Sequence, residues 1–159
     1  MKNILFVCTG NSCRSVMAEG LFRKMTENRP GEFTVGSAGI SAMDGFSPTE
    51  ETVEAMQREG VDVSGCLSRR LTEAMARQAD KIYVMEEMHR RAILRLAPAA
   101  APKVFLLGQF APPARGHSLD RRDIPDPIRM SEDFYRNVLG VIRDCVKNLV
   151  EQLGKEMVG

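Results

Sequence analysis

No run of apolar residues in this 159-residue chain approaches the ~20 needed to cross a bilayer. The opening run Ile4-Leu5-Phe6-Val7 turns polar at Thr9 without a signal-peptide cleavage pattern, so the expected location is the cytoplasm. Cysteine and histidine are scarce. Cys8, Cys13, Cys66 and Cys145 form no Cys-x2-Cys pair, and only His89 and His117 offer imidazole, which disfavours a structural zinc site. An excess of either charge is also lacking, with 22 Lys plus Arg against 21 Asp plus Glu. No sequence-wide field therefore recruits nucleic acid or an anionic membrane, and any anion site must be local. Low-complexity tracts and internal repeats are missing, and 43% hydrophobic with 27% charged residues disfavours disordered, collagen-like and disulfide-scaffold chains. The length suits one domain. In a reducing compartment each thiol stays free, either a buried small hydrophobe or a reactive group.

What is present is an alternation of strands and helices. Ile4-Leu5-Phe6-Val7 reads as a strand buried on both faces and stops at Thr9-Gly10-Asn11-Ser12, a turn-prone stretch. A helix is predicted over 14–24, with Ser12 or a neighbour as N-cap and Met17, Ala18, Leu21, Phe22 and Met25 at helical spacing. Phe33-Thr34-Val35 predicts a second strand closed by Gly36-Ser37-Ala38-Gly39, and Ser47-Pro48-Thr49-Glu50 opens a helix ending near Gly60. A short segment over 71–77, a strand over 80–85 and a helix over 86–96 follow. The break Ala97-Pro98-Ala99-Ala100-Ala101-Pro102 precedes a fourth strand over 103–107, then a long loop over 108–130, flagged as a possible site loop. Ser131-Glu132-Asp133 caps a last helix with Phe134, Val138, Val141, Ile142, Cys145, Leu149 and Leu153 on one face. The expected fold is α/β: a single-domain, three-layer arrangement with a four-stranded, mainly parallel sheet flanked by helices.

Ligands of such sheets bind beyond the carboxyl ends of the strands, where this chain carries Cys8-Thr9-Gly10-Asn11-Ser12-Cys13-Arg14-Ser15. A Cys-x5-Arg loop opening a helix can curl its backbone N–H groups into a nest continuous with the helix N-terminus, and both features attract a dianion. Gly10 eases the curl. The positive pole favours the thiolate form of Cys8, the nucleophilic one, and Arg14 is shaped to grip two phosphate oxygens. Spacing alone is weak evidence. The position after the first strand, the Gly and Asn within the loop and the following helix make it specific.

These residues, with Met17-Ala18-Glu19 after them, resemble the low-molecular-weight protein tyrosine phosphatase family. The resemblance continues through Ser37-Ala38-Gly39, Ser68-Arg69-Arg70-Leu71, Val84-Met85 and Asp126-Pro127, and implies one such domain over residues 1–159, with a phosphate-binding loop formed by Thr9, Gly10, Asn11, Ser12, Cys13, Arg14 and Ser15. It implies that Cys8 attacks phosphorus to form a phosphocysteine intermediate, that Arg14 holds the phosphoryl oxygens, and that Asp126 acts as general acid and then base. Asp120 and Asp123 compete for that last role on spacing, and only the following proline favours Asp126. By the same resemblance Ser15 stabilises the thiolate, Asn11 with Ser37 braces the loop, and Cys13 forms a reversible disulfide with Cys8 that protects it from overoxidation. Beside these readings stand plainer ones, Ser15 and Ser37 as ordinary helix-start and strand-end residues and Asp126-Pro127 as a turn, which the resemblance makes the lesser alternatives.

Three enzyme classes share the loop: protein-tyrosine phosphatase, protein arginine phosphatase and thioredoxin-coupled arsenate reductase. The reductase needs two further cysteines after the third strand, where this chain has Met85-Glu86-Glu87-Met88-His89. A non-catalytic phosphoprotein-binding module would need Arg14 but not a nucleophile and acid together. Ile128 and Arg129 follow Asp-Pro where tyrosine-directed relatives place an aromatic, Phe46 or Met43 would supply an opposite apolar wall or else fill core, and Ser12 offers a small hydroxyl that leans toward phosphoarginine. The reading is therefore a protein-tyrosine phosphatase, with arginine phosphatase as the alternative, acting on a phosphorylated protein without cofactor or metal, as a monomer or weak dimer. Cys66 and Cys145 read as structural, the methionines as core filler, and His89 and His117 as surface residues. Asp120-Arg121-Arg122-Asp123 reads as a solvated face, with Arg121 or Arg122 available to an acidic substrate.

Overall fold

The computed structural model describes residues 1–112 and 123–158. His117, Asp120, Arg121 and Arg122 lie outside the described residues. The chain runs β1 (Lys2–Cys8), α1 (Arg14–Met25), β2 (Phe33–Gly39), α2 (Glu50–Arg58), α3 (Glu73–Gln78), β3 (Lys81–Val84), α4 (Glu87–Leu96), β4 (Val104–Leu106) and α5 (Glu132–Val158). Short 3-10 turns at Pro98–Lys103 and Leu107–Phe110 flank β4. The sheet has the order β2-β1-β3-β4 and every pairing is parallel.

β1 is buried on both faces because it lies inside the sheet, and its alternation divides the core in two. Ile4 and Phe6 point toward α1 and α5, where Met17, Leu21, Phe22, Val138, Ile142, Cys145 and Leu149 cover them. Leu5 and Val7 point the other way, with Ile82 and Val84, against Ala76 and Ile93. That two-sided cover is why the strand reads as an unbroken apolar run rather than an alternating one. Phe6 and Phe22 meet edge to face with ring centroids 5.8 Å apart, and Tyr83 stacks on Phe105 at 5.9 Å.

Several expectations need correction. β2 does not close at Val35. It runs on through Gly36-Ser37-Ala38-Gly39, in register with β1 as far as the pair Cys8 and Gly39, because the parallel ladder continues to the end of β1. The N-cap of α1 is Cys13, the neighbour of Ser12, but no side chain caps the helix. Val141 is exposed, since it falls about 100° around the helix from the buried Ile142. Met43 and Phe46 fill no core, being 71% and 59% exposed. His89 is not on the surface: it is completely buried, for a reason that belongs to the site.

The far end of β2 touches the loop after β1. A Cβ on Gly39 would lie 2.6 Å from the Thr9 carbonyl oxygen and 2.8 Å from the Asn11 nitrogen. Only a residue without a side chain lets the two segments meet there. Gly39→Ala is expected to lower stability in urea by about 1–3 kcal/mol, the usual cost of overpacking, and to reduce phosphate affinity because the backbone it displaces is the loop itself.

Candidate active site

The loop between Cys8 and Arg14 turns on Asn11, whose φ of 53° lies in the left-handed region. Asparagine tolerates that conformation better than most residues, and here its side chain makes it permanent. Asn11 is buried; its Nδ2 donates to Ser15 Oγ at 2.8 Å and to Ser37 Oγ at 2.9 Å, while Oδ1 accepts from the Arg69 backbone N–H at 2.9 Å. With the turn so fixed, the Asn11 N–H points at Cys8 Sγ, 3.3 Å away. Ser15 Oγ lies 2.9 Å from the same sulfur. Because that hydroxyl already accepts from Asn11, its proton is free for the sulfur, and two donors converge on Cys8. A second layer holds the loop: Ile40 N–H donates to Cys8 O, Ser41 N–H to Thr9 O and Thr49 N–H to Ser12 O, at 3.0, 2.9 and 3.2 Å.

Arg14 begins α1 and is only 2% exposed. Its Nη1 donates to Glu86 Oε2 and to the Ile124 carbonyl, both at 2.7 Å, and its Nη2 stands 3.7 Å from Asp126 Oδ2. Such pairing offsets the cost of burying the cation. Asp126 is 41% exposed. Its Oδ1 accepts from Ile128 N–H at 3.0 Å, and Met130 N–H donates to Pro127 O at 2.9 Å, so Asp-Pro is a turn and also aims a carboxylate oxygen at the loop. Asp123 is used differently, its Oδ1 accepting from Glu87 N–H at 2.9 Å at the start of α4.

Glu86 and His89 were not singled out as site residues from the sequence. Glu86 is the N-cap of α4, and His89 sits three residues on, where an N-terminal capping partner falls. That spacing, directly after the strand ending in Val84-Met85, is the signal that would have found both. The Glu86 N–H donates to His89 Nδ1 at 3.0 Å, and His89 Nε2 lies 2.8 Å from Thr9 Oγ1. Burial above all, then the neighbouring Arg14 cation, pushes the imidazole down to about 4, against the pull of Glu86, Asp123 and Asp126.

Cys8, Cys13, Cys66 and Cys145 are all free thiols. Cys13 Sγ faces Thr49 Oγ1 at 3.5 Å and Tyr135 OH at 3.6 Å. Cys145 is buried in α5, where desolvation pushes its thiol up to about 12. Cys66 is half-buried and donates to Glu19 Oε2 at 3.5 Å, and burial again raises it. Among the described residues no cluster of His, Cys, Asp or Glu is arranged to hold a metal ion, and no helix is long and apolar enough to cross a membrane.

The family model for low molecular weight phosphotyrosine protein phosphatases matches residues 3–158. The chain belongs to this family. It is thereby a hydrolase of the phosphatase class. It is 36% identical over 152 residues to the low molecular weight protein-tyrosine-phosphatase Ptp of Acinetobacter johnsonii, covering 96% of this chain and 98% of that one. It is 32% identical over 154 residues to a protein-arginine-phosphatase of Bacillus subtilis, covering 97% and 98%. A solved YwlE arginine phosphatase, a mutant with a phosphorylated active-site serine, superposes with a TM-score of 0.85 at 31% identity, covering 96% of each chain. The structure joins Cys8, Asn11, Ser15 and Ser37 in one hydrogen-bonded group and pairs Arg14 with Asp126. Ser12 is half-buried at the loop and Ile128 is 40% exposed beside Asp126.

Asn11→Ala removes three side-chain bonds and the tolerance for a positive φ. It is expected to destabilise the protein by about 2–4 kcal/mol in denaturant titrations and to weaken inorganic phosphate binding. His89 supplies a pH test. The unfolded imidazole binds a proton near pH 6.5 and the folded one only near pH 4, so the unfolded state carries more protons between these values. Stability is expected to be fullest above pH 6.5 and to fall as pH drops toward 4, and His89→Gln should flatten that slope in Tm against pH.

Proposed function

We propose that this enzyme hydrolyses phosphorylated proteins through a phosphocysteine formed on Cys8, with Arg14 and the loop N–H groups as the phosphoryl clamp and Asp126 as general acid, then base. The observation that supports the reading is that one loop, from Cys8 to Arg14, holds a sulfur with two hydrogen-bonding neighbours and ends on a guanidinium paired with Asp126. Cys8 Sγ has Ser15 Oγ at 2.9 Å and Asn11 N at 3.3 Å, and the Arg14 of the same loop stands 3.7 Å from Asp126.

The chemistry follows from those positions. In this scheme Cys8 attacks phosphorus as a thiolate, with the Asn11 N–H and the Ser15 hydroxyl beside the sulfur. The departing oxygen leaves poorly as an anion, and in this scheme Asp126, exposed and paired with Arg14, protonates it. The resulting carboxylate then takes a proton from the water that attacks phosphocysteine. Ser15 Oγ stabilises the thiolate as it leaves. Arg14 exchanges its contact with Asp126 for phosphoryl oxygens while Glu86 and Ile124 O keep the guanidinium in plane. The phosphorylated serine in the related YwlE mutant supports a covalent route at the nucleophile position.

Phosphotyrosine is the preferred substrate. Met43, Phe46 and Ile128 are exposed apolar side chains on the segments that border the loop, suited to the faces of a phenol ring. Ser12, with its hydroxyl at the loop, favours phosphoarginine as the second reading, in keeping with the arginine-directed relatives. Under mild peroxide, Cys13 is proposed to trap oxidised Cys8 as a disulfide.

Phosphate release from matched phosphotyrosine and phosphoarginine peptides, with EDTA present, tests the whole scheme. Cys8→Ser should abolish turnover on either peptide, and full activity in that variant would sink the mechanism. Asp126→Ala should lower kcat by about 10²–10⁴ while leaving a labelled phosphoenzyme detectable after acid quench. A preference for phosphoarginine would make Ser12 the selector and leave the apolar rim without a role in choosing substrate.

A further inference from the structure

We infer that His89 is a positioning residue for the phosphoryl site, its ring locking Thr9, the residue after the nucleophile, to the turn of α4 whose cap Glu86 holds Arg14. The inference rests on the reading of the loop as the phosphoryl-binding element. Both ring nitrogens are committed. Nδ1 accepts from the Glu86 backbone N–H at 3.0 Å, so it carries no proton, and the single proton of the neutral ring sits on Nε2. Nε2–H therefore donates to Thr9 Oγ1, 2.8 Å away. The tautomer is set by the helix cap and read out at the loop.

A completely buried ring bonded at both nitrogens neither reaches substrate nor shuttles protons, and its effect passes through what it touches. On one side is Thr9, whose carbonyl is already held by Ser41 N–H at 2.9 Å, so the His89 bond fixes its side chain as well as its backbone. On the other side is Glu86, whose carboxylate holds Arg14 at 2.7 Å. Loop and guanidinium reach the site from β1 and α1, while their common support comes from α4. His89 thus places the two halves of the clamp in one frame, and rate depends steeply on that alignment. A core histidine serving only to fill space would need no donor at Thr9 and no acceptor at Glu86.

Two substitutions separate the bonds. Asparagine carries an acceptor near the position of Nδ1 and lacks the reach to Thr9; glutamine extends an N–H about as far as Nε2 and loses the acceptor. Steady-state hydrolysis of para-nitrophenyl phosphate, well below each variant's Tm, is the measurement. His89→Asn is expected to lower kcat about tenfold with KM within about twofold, and His89→Gln to recover most of the loss. Thr9→Val should lower kcat to a similar degree, Thr9→Ser should lower it clearly less than Thr9→Val does, and the Thr9→Val/His89→Asn pair should be no worse than the poorer single variant. Wild-type kcat in His89→Asn, or losses in the pair that multiply, would overturn the inference. If His89→Asn does not fold, the contrast of Thr9→Val with Thr9→Ser decides, and equal kcat in the two refutes the link. Failure of the underlying reading looks different and would sink both: wild type inactive on the same ester, or Cys8→Ser as active as wild type.

Discussion

The left-handed turn at Asn11 is the constraint on which the site depends. A backbone reversal between the end of β1 and the start of α1 must turn the N–H groups inward, and one residue with positive φ achieves this at the cost of local strain. The side chain that stabilises it bonds to α1 through Ser15, to β2 through Ser37 and to the segment before α3 through the Arg69 N–H. Three pieces of chain distant in sequence thus meet at one buried amide. The same bonds leave the Ser15 proton for Cys8, so the group that holds the turn also sets a hydroxyl beside the sulfur.

Electrostatics complete the arrangement from the other side of the sheet. A buried guanidinium is costly unless its donors are satisfied, and Arg14 has a carboxylate, a carbonyl and a second carboxylate within reach. The two acids differ in kind. Glu86 is a helix cap with a fixed direction, whereas Asp126 sits half-exposed in a turn. The neighbouring His89 stays neutral because it lies buried beside the Arg14 cation, which keeps it a directional hydrogen-bonding wedge rather than another charge. The stretch Met85-Glu86-Glu87-Met88-His89, where a reductase would carry relay cysteines, is occupied by these supports.

Much of this was legible in the chain. The doubly buried β1 and the last helix were written in apolar runs and periodicity, since burial on two faces or along one stripe leaves a local pattern. The Cys-x5-Arg loop was legible because its residues are contiguous. Asp126 is marked by its proline, whereas nothing in the sequence tells that Asp123 accepts from Glu87 N–H at the start of α4. His89 is buried although a histidine among arginines has the composition of a surface. Its hydrogen-bond partner Thr9 lies eighty positions away. β2 was read short because glycine and serine are weak strand formers, and its extension depends on pairing with β1.

By itself, the sequence determined the order of the elements, the two-sided core and the presence of a thiol, a guanidinium and a nest-forming loop in one stretch of chain. These follow from local patterns of polarity and from backbone preferences acting over a few residues. Tertiary structure alone decided that Glu86 rather than water holds Arg14, that Asp126 rather than Asp123 faces it, that Gly39 makes room for Thr9, and that His89 spans helix and loop. Those are hydrogen bonds and close approaches between segments far apart along the chain. They form only where the parallel sheet brings the carboxyl ends of its strands side by side.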